Sequence, residues 1–281
     1  MLKSNEHDVQ SYYDRHTKQF MAYGEGRGSG TIHRAVWGPG VNTRKQAFFF
    51  VEDRLAEAFR TLVQTTPNQT ILDLGCGIAG SLCYLTQRLP VQGVGITLSP
   101  VQVQLAKKHI YDSQLQNQVT CIQGDYLDSN LQLPPIDMAY AIESFAHTDD
   151  PSKFFSHCAK RIRPGGILAI CDDMLRNDVS PRAKKRIRQF SHGWRVHTLL
   201  TQTELIALAK STGFQHDSTY DLTPYLRLGR PRDRLLAVLT ALVSWLPLDN
   251  TIGHLLGGSA LHTCLQNGWI GYDLTFFRRT K

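Results

Sequence analysis

Ile71-Leu72-Asp73-Leu74-Gly75-Cys76-Gly77-Ile78-Ala79-Gly80-Ser81 is the stretch that decides the fold. A strand-like apolar run enters a turn with glycine at 75, 77 and 80, and a helix-like segment follows directly. Glycine has no Cβ, so such a turn bends sharply, admits a ligand close to the backbone and lets the next helix pack tightly on the strand. A nucleoside-shaped ligand suits that geometry. The spacing Gly-x-Gly-x-x-Gly by itself is shared with dinucleotide binders, so the neighbouring segments must choose between ligands.

Outward from this turn, short apolar runs alternate with helix-like segments, the pattern of an α/β protein whose parallel sheet is covered by helices on both faces. Strands are predicted over 70–74, 92–97, 119–123, 136–142 and 166–171, and helices over 47–63, 80–88, 100–111 and 151–162. Ser99-Pro100 and Asp150-Pro151 have the cap-then-proline form of a helix start, and Pro164-Gly165-Gly166 reads as a turn. Thr201 with Glu204 makes a capping box for a helix through Ser211, with Gly213 as its stop. Two final strands are predicted over 214–222 and 269–277, separated by about 46 residues that hold a helix-like 232–246 and a break at Gly257-Gly258. The N-terminal segment places Tyr12, Tyr13 and Phe20 on one helix face, then glycines at 24, 26, 28 and 30, then His33-Arg34-Ala35-Val36-Trp37. It reads either as a cap over a neighbouring site or as surface coil.

The chain has 281 residues, 42% of them hydrophobic, enough for a sizeable core. Its start lacks the charged-then-apolar form of a signal segment, and the longest apolar run, 235–248, is too short to span a bilayer, so a cytoplasmic location is expected. Six dispersed cysteines without a Cys-x-x-Cys pair read as buried thiols. The net charge of +7 is compatible with an anionic partner, yet the densest basic run, Arg182 to Arg188, is read as a solvated helix face. No RNA-binding signature surrounds it, so nucleic acid is not an expected partner.

In dinucleotide enzymes the second strand ends in an acid that holds the ribose, whereas here it ends Gly95-Ile96-Thr97-Leu98-Ser99-Pro100. Hydride transfer is therefore disfavoured. Asp73-Leu74-Gly75-Cys76-Gly77, the run from Gly95 to Gln102, Gly124-Asp125, and Ile142-Glu143-Ser144 with His147 together resemble the class I S-adenosylmethionine-dependent methyltransferases. Within them the chain resembles the branch of tocopherol, sterol and terpenoid small-molecule C-methyltransferases. The resemblance is close over 45–175 and loose in the C-terminal third. It implies a Rossmann-like, seven-stranded, mostly parallel sheet, with an N-terminal helical cap over 1–45, a core over 46–221, a helical insertion or lid over 222–268 and a final strand over 269–281. It also implies S-adenosyl-L-methionine as cofactor, held by Asp73, Gly75, Cys76, Gly77, Thr97, Leu98, Gln102, Asp125 and Tyr126. Asp125 would meet the adenine amino group, and its alternative is a turn-capping aspartate. The ribose would fall to Thr97, Gln102 or backbone groups.

Glu143 follows an apolar strand and is the first catalytic candidate. In the resembling branch such a glutamate stabilises a carbocation or removes a proton, since methyl transfer to an alkene leaves a cation that a carboxylate can offset. Its alternative is a carboxylate that orients substrate or binds the N-terminal segment. His147 is a second candidate, as proton acceptor or as a helix cap. Tyr13, Tyr23, Trp37, Trp194 and Tyr225 are expected to wall the acceptor, and Arg34 to grip an anionic group such as a prenyl diphosphate. Asp172-Asp173 reads as a substrate or ion ligand or, more simply, as a turn. No metal is expected. The leading function is C-methylation of an isoprenoid or other small apolar metabolite. The alternatives are O- or N-methylation of an alkaloid, phenol or polyketide, and a non-catalytic cofactor-binding module. A homo-oligomer is left open.

Overall fold

The seven strands are β1 (Gln69–Leu74), β2 (Val91–Thr97), β3 (Val119–Gln123), β4 (Ile136–Ile142), β5 (Ile162–Leu175), β6 (Phe214–Asp221) and β7 (Ile270–Arg279). They form one sheet in the order β3-β2-β1-β4-β5-β7-β6 in a computed structural model that describes residues 14, 31–63, 68–176, 180–229 and 249–280. The first five strands run parallel, and β7 inserts antiparallel between β5 and β6. Helices α1 (Arg44–Phe48), α2 (Phe50–Val63), α3 (Gly80–Thr86), α4 (Pro100–Asp112), α5 (Pro151–Arg161), α6 (Pro181–Trp194), α7 (Gln202–Ser211) and α8 (Asp249–Gln266) complete the described elements. Among the described residues no helix is long and apolar enough to cross a membrane. Of the expected N-terminal cap over 1–45 the structure describes Asp14 and residues 31–45, and the helix-like segment expected over 232–246 lies outside the described residues.

The two-residue period of a strand explains the two-sided core. Ile71 faces a layer with Leu55, Phe59 and Leu82, while Leu72 and Leu74 face the opposite layer with Phe154, Phe155 and Phe277. Local signals hold where side chains cap their own helix: Ser99 accepts from Gln102, Asp150 from Lys153, and Thr201 with Glu204 closes a capping box.

Four expectations change. The helix predicted over 47–63 is two helices, because Thr43 and Gln46 make a capping box that starts α1 early and Phe49, at φ −109 and ψ 14, ends it. The predicted turn at Pro164-Gly165-Gly166 lies inside β5, where a register shift opposite Ile136 and Met138 absorbs it. That strand also continues past Cys171, so Asp172 and Asp173 are buried strand residues paired with Asp273 and Tyr272 rather than turn formers.

Gly257-Gly258 is likewise no break. Both lie within α8, which packs on α6 through Phe190, Ala260, Leu261 and Cys264. A Cβ on Gly257 would stand 2.7 Å from Trp194 Cδ1 and 3.0 Å from Gly193 Cα, whereas one on Gly258 would make ordinary contact at 3.6 Å. The opposite side of α6 exposes Lys184, Lys185, Arg186 and Arg188 to solvent. Overpacking costs about 1–3 kcal/mol, and alanine gains up to about 1 kcal/mol over glycine in a helix. Urea unfolding should therefore show Gly257→Ala destabilised and Gly258→Ala unchanged or stabilised; equal stabilisation of both would contradict the close helix approach.

Candidate functional site

The turn after β1 is built for close approach. Gly75 and Gly77 have φ of 100 and 52, and Ala79 enters α3 at φ 63. The amides of Gly75 and Cys76 both donate to the Ile96 carbonyl, at 3.0 and 2.8 Å, tying the turn to β2. A Cβ on Gly75 would stand 2.5 Å from Ser144 Cβ, so this position is closed to any side chain. Beneath the turn Asp73 accepts from the Tyr140 hydroxyl at 3.0 Å, and burial pushes its carboxyl up to about 7.

Residues 31–37 cross this edge of the sheet as a strap. Arg34 donates from its amide and Nε to Glu143 Oε1, at 2.9 and 3.1 Å, and from Nη1 and Nη2 to the two oxygens of Asp173, each at 2.8 Å. Its guanidinium lies 4.2 Å above the Tyr272 ring, and the Tyr272 hydroxyl donates to the same Glu143 oxygen at 2.9 Å. Glu143 stands just beyond β4 at φ 50, with its amide bonded to the Cys171 carbonyl. Burial works against the charged form of Glu143, but Arg34 and His33 with the hydrogen-bond donors hold it below the usual carboxylate range. The neighbouring Asp172 accepts from the amides of Ala146 and Asp173, and burial with the Asp173 charge pushes it up to about 7.

One residue earlier, His33 Nε2 meets Glu52 Oε1 at 2.7 Å and Nδ1 faces the Arg34 carbonyl at 3.1 Å. Both ring nitrogens thus face acceptors, which suits the imidazolium. Burial opposes that charge, but Glu52 outweighs it and raises His33 to about 9. Ser81 at the start of α3 donates to the same Glu52 oxygen at 2.6 Å, while the other oxygen is buried with no hydrogen-bond partner among the described residues.

The remaining predicted residues divide. His147 sits in a short 3₁₀ turn, Phe145–His147, with Nδ1 donating to the Arg195 carbonyl at 3.0 Å, and burial lowers its pKa. Asp125 accepts from the Leu127 amide at 2.8 Å, the turn-capping contact, and its second oxygen has no hydrogen-bond partner among the described residues. Leu98 is half-buried at the same edge. Thr97 and Gln102 are buried and bond to each other at 2.6 Å at the corner after β2. Next to them Ser99 donates to Asp14 of the N-terminal segment. Tyr126 is likewise turned into packing, edge-on to Phe154, with its hydroxyl on the Ser144 carbonyl.

Arg34 corrects the diphosphate expectation, since two carboxylates already engage its guanidinium. Trp194, at the end of α6, packs against α8. Trp37 and Tyr225 do meet, the Trp37 amide donating to the Tyr225 carbonyl at 2.8 Å, and Arg227 stacks 3.1 Å above the Trp37 ring. Tyr13 and Tyr23 lie outside the described residues. Sequence reasoning missed Glu52, Tyr140 and Tyr272, and misread Asp173. Their signal was chemical: acids and tyrosines inside apolar segments need partners when buried.

The family described as "Methyltransferase domain" matches residues 72–170. An O-methyltransferase of Pyrenophora dematioidea is 30% identical over 227 residues, covering 78% of this chain and 80% of that relative. The chain belongs to the class I S-adenosylmethionine-dependent methyltransferases. Solved methyltransferases share its fold at low identity. The cyclopropane synthase MmaA2 of Mycobacterium tuberculosis superposes with a TM-score of 0.76 at 18% identity, covering 98% of each chain. A geranyl diphosphate C-methyltransferase of Streptomyces coelicolor, solved with Mg2+, geranyl diphosphate and S-adenosyl-L-homocysteine, superposes at 0.69 with 16% identity, again over 98% of each chain.

S-adenosylmethionine is the cofactor of this methyltransferase, and the turn fits it. A Cβ on Gly77 would meet Ile32 Cδ1 at 3.5 Å, so the missing side chain leaves a cradle between turn and strap. The Glu52 oxygen with no hydrogen-bond partner among the described residues adds negative charge beside that cradle, which suits a cationic ligand.

The raised pKa of His33 has a consequence for the fold. Between its ordinary value of 6.5 and about 9, the folded chain holds a proton that the unfolded chain has released. That contribution is complete below pH 6.5 and is lost as pH climbs through 9. The urea midpoint should fall across this window, and His33→Gln should flatten the fall; parallel pH profiles would show that His33 carries no such charge.

Proposed function

We propose that this methyltransferase moves the methyl group of S-adenosylmethionine to an oxygen of a small, largely apolar acceptor, with His147 taking the proton. The observation that carries this reading is the engagement of Glu143, whose Oε1 accepts three hydrogen bonds and whose negative charge is opposed by Arg34. A carboxylate held below its usual range is a poor base for a hydroxyl. His147 is better matched: burial keeps it neutral, and with Nδ1 donating to Arg195, Nε2 is the ring atom that bears the lone pair. The Pyrenophora relative, an O-methyltransferase, is matched over four-fifths of its length.

The bound sulfonium supplies an electrophilic methyl group that the acceptor attacks directly. The chain's part is placement. The backbone at Gly75 to Gly77 would hold the amino-acid end, and the second oxygen of Asp125 the adenine amino group, with Leu98 beside it. Asp73 and Cys76 would support the turn from below, and Thr97 with Gln102 would brace the corner, leaving the ribose to backbone groups. The strap, with Trp37 and Tyr225, would wall the acceptor, and alignment of acceptor and methyl supplies most of the rate.

A second reading, methyl transfer to carbon with Glu143 as cation stabiliser, draws on one observation. Glu143 stays charged, and its Oε2 has no hydrogen-bond partner among the described residues. A carbocation is acidic enough for a weak base. A prenyl diphosphate is less favoured as its acceptor, because Arg34 offers no unengaged face to a phosphate.

Phenols, alkaloids and prenylated aromatics with labelled cofactor would identify an acceptor, and pH profiles then separate the readings. Oxygen transfer through His147 predicts kcat/KM that falls on the acid side with an apparent pKa below 6.5. His147→Gln should lower kcat by about a hundredfold with cofactor affinity nearly unchanged. Full turnover in His147→Gln, with loss in Glu143→Gln, would overturn oxygen transfer in favour of carbon.

A further inference from the structure

We propose that Cys76 and Cys121 are a peroxide-sensitive thiol pair whose disulfide loosens the methyltransferase's hold on its cofactor. The two sulfurs lie 3.6 Å apart, and among the described residues they are the cysteine sulfurs in contact. Cys76 is the middle residue of Gly75-Cys76-Gly77, and Cys121 lies on β3 directly beside Gly95 of β2. Gly95 makes the meeting possible. A Cβ there would stand 2.7 Å from Cys76 Sγ, so any side chain at 95 would occupy the path by which Cys76 reaches across β2.

A disulfide needs about 2.05 Å between sulfurs, so the pair must close by about 1.6 Å from its present 3.6 Å. The hydrogen bond between them polarises the pair, holding Cys121 below the ordinary thiol range and Cys76 above it. Cys121 is therefore the sulfur that reacts first. Its thiolate attacks one oxygen of hydrogen peroxide, breaking the O–O bond and giving a sulfenic acid and hydroxide. Cys76 sulfur then attacks the sulfenic sulfur, forming the S–S bond, and the departing hydroxide takes the Cys76 proton as water. Two thiols are oxidised by two electrons in all, and one peroxide is reduced to two waters.

Closure cannot be confined to the sulfurs. Gly75 has no slack, because the space its side chain would fill is occupied by Ser144, whose hydroxyl is bonded to the Leu74 carbonyl. The Gly75 and Cys76 amides are also pinned to Ile96. Pulling Cys76 toward β3 therefore twists the segment between two glycines held at positive φ, the cradle that fits the cofactor.

The test uses the full chain, first reduced and titrated with S-adenosylhomocysteine by calorimetry, so that cofactor binding is established before any oxidation. After graded hydrogen peroxide, peptide mapping without reductant should show Cys76 linked to Cys121. Affinity for S-adenosylhomocysteine should fall by about tenfold or more and return with dithiothreitol. Cys121→Ser, with Cys121→Ala as a second variant should serine perturb folding, should keep its affinity through the same treatment. Absence of the link, a link without loss of affinity, or the same reversible loss in a folded Cys121 variant would each overturn the proposal.

Discussion

One guanidinium, that of Arg34, joins the strap to three strands of the sheet at the edge where the candidate site lies. It binds Glu143 just past β4 and Asp173 within β5, and it stacks on Tyr272 of β7. Burying a charge costs several kcal/mol unless partners and hydrogen bonds replace water. Here the partners are reciprocal: Arg34 needs both carboxylates, and each carboxylate needs Arg34. The strap cannot lift without exposing a buried cluster of charges to one another.

That cluster is not neutral. Arg34 and the protonated His33 face Glu52, Glu143 and Asp173, an excess of negative charge. Burial first, and then the like charges of Asp173 and Glu143, push Asp172 up to about 7. An edge left electronegative, with a glycine cradle opening onto it, is complementary to a ligand that carries a sulfonium and an ammonium. Fold, strap and cofactor preference thus follow from the same set of buried charges.

Much of this was legible in the sequence, because it depends on residues close together in the chain. The glycine turn shows in its spacing, and the cap-proline helix starts and the Thr201–Glu204 box each bond within a few residues of themselves. Other features needed the third dimension. Asp172-Asp173 looked like a turn because the two acids follow the expected end of the strand at Cys171, whereas pairing with β7 carries β5 on to Leu175 and both acids inward. Gly257-Gly258 looked like a break, but both lie within α8, which needs glycine at 257 to pass close to Trp194. The Thr97 hydroxyl bonds Gln102 five residues on, a contact that the spacing alone does not announce. Arg34 was read as a cation awaiting an anionic substrate, and its true anions lie more than a hundred residues away in sequence.

The central claim is that Arg34 fastens the strap to the sheet, and a double-mutant cycle tests it most directly. Unfolding free energies of Arg34→Met, Asp173→Asn and the pair together, measured in urea at neutral pH, isolate the coupling between the two side chains. A bidentate pair this far removed from water should couple by about 2 kcal/mol or more. Additive losses, with a coupling below about 0.5 kcal/mol, would show that the strap is held by something else.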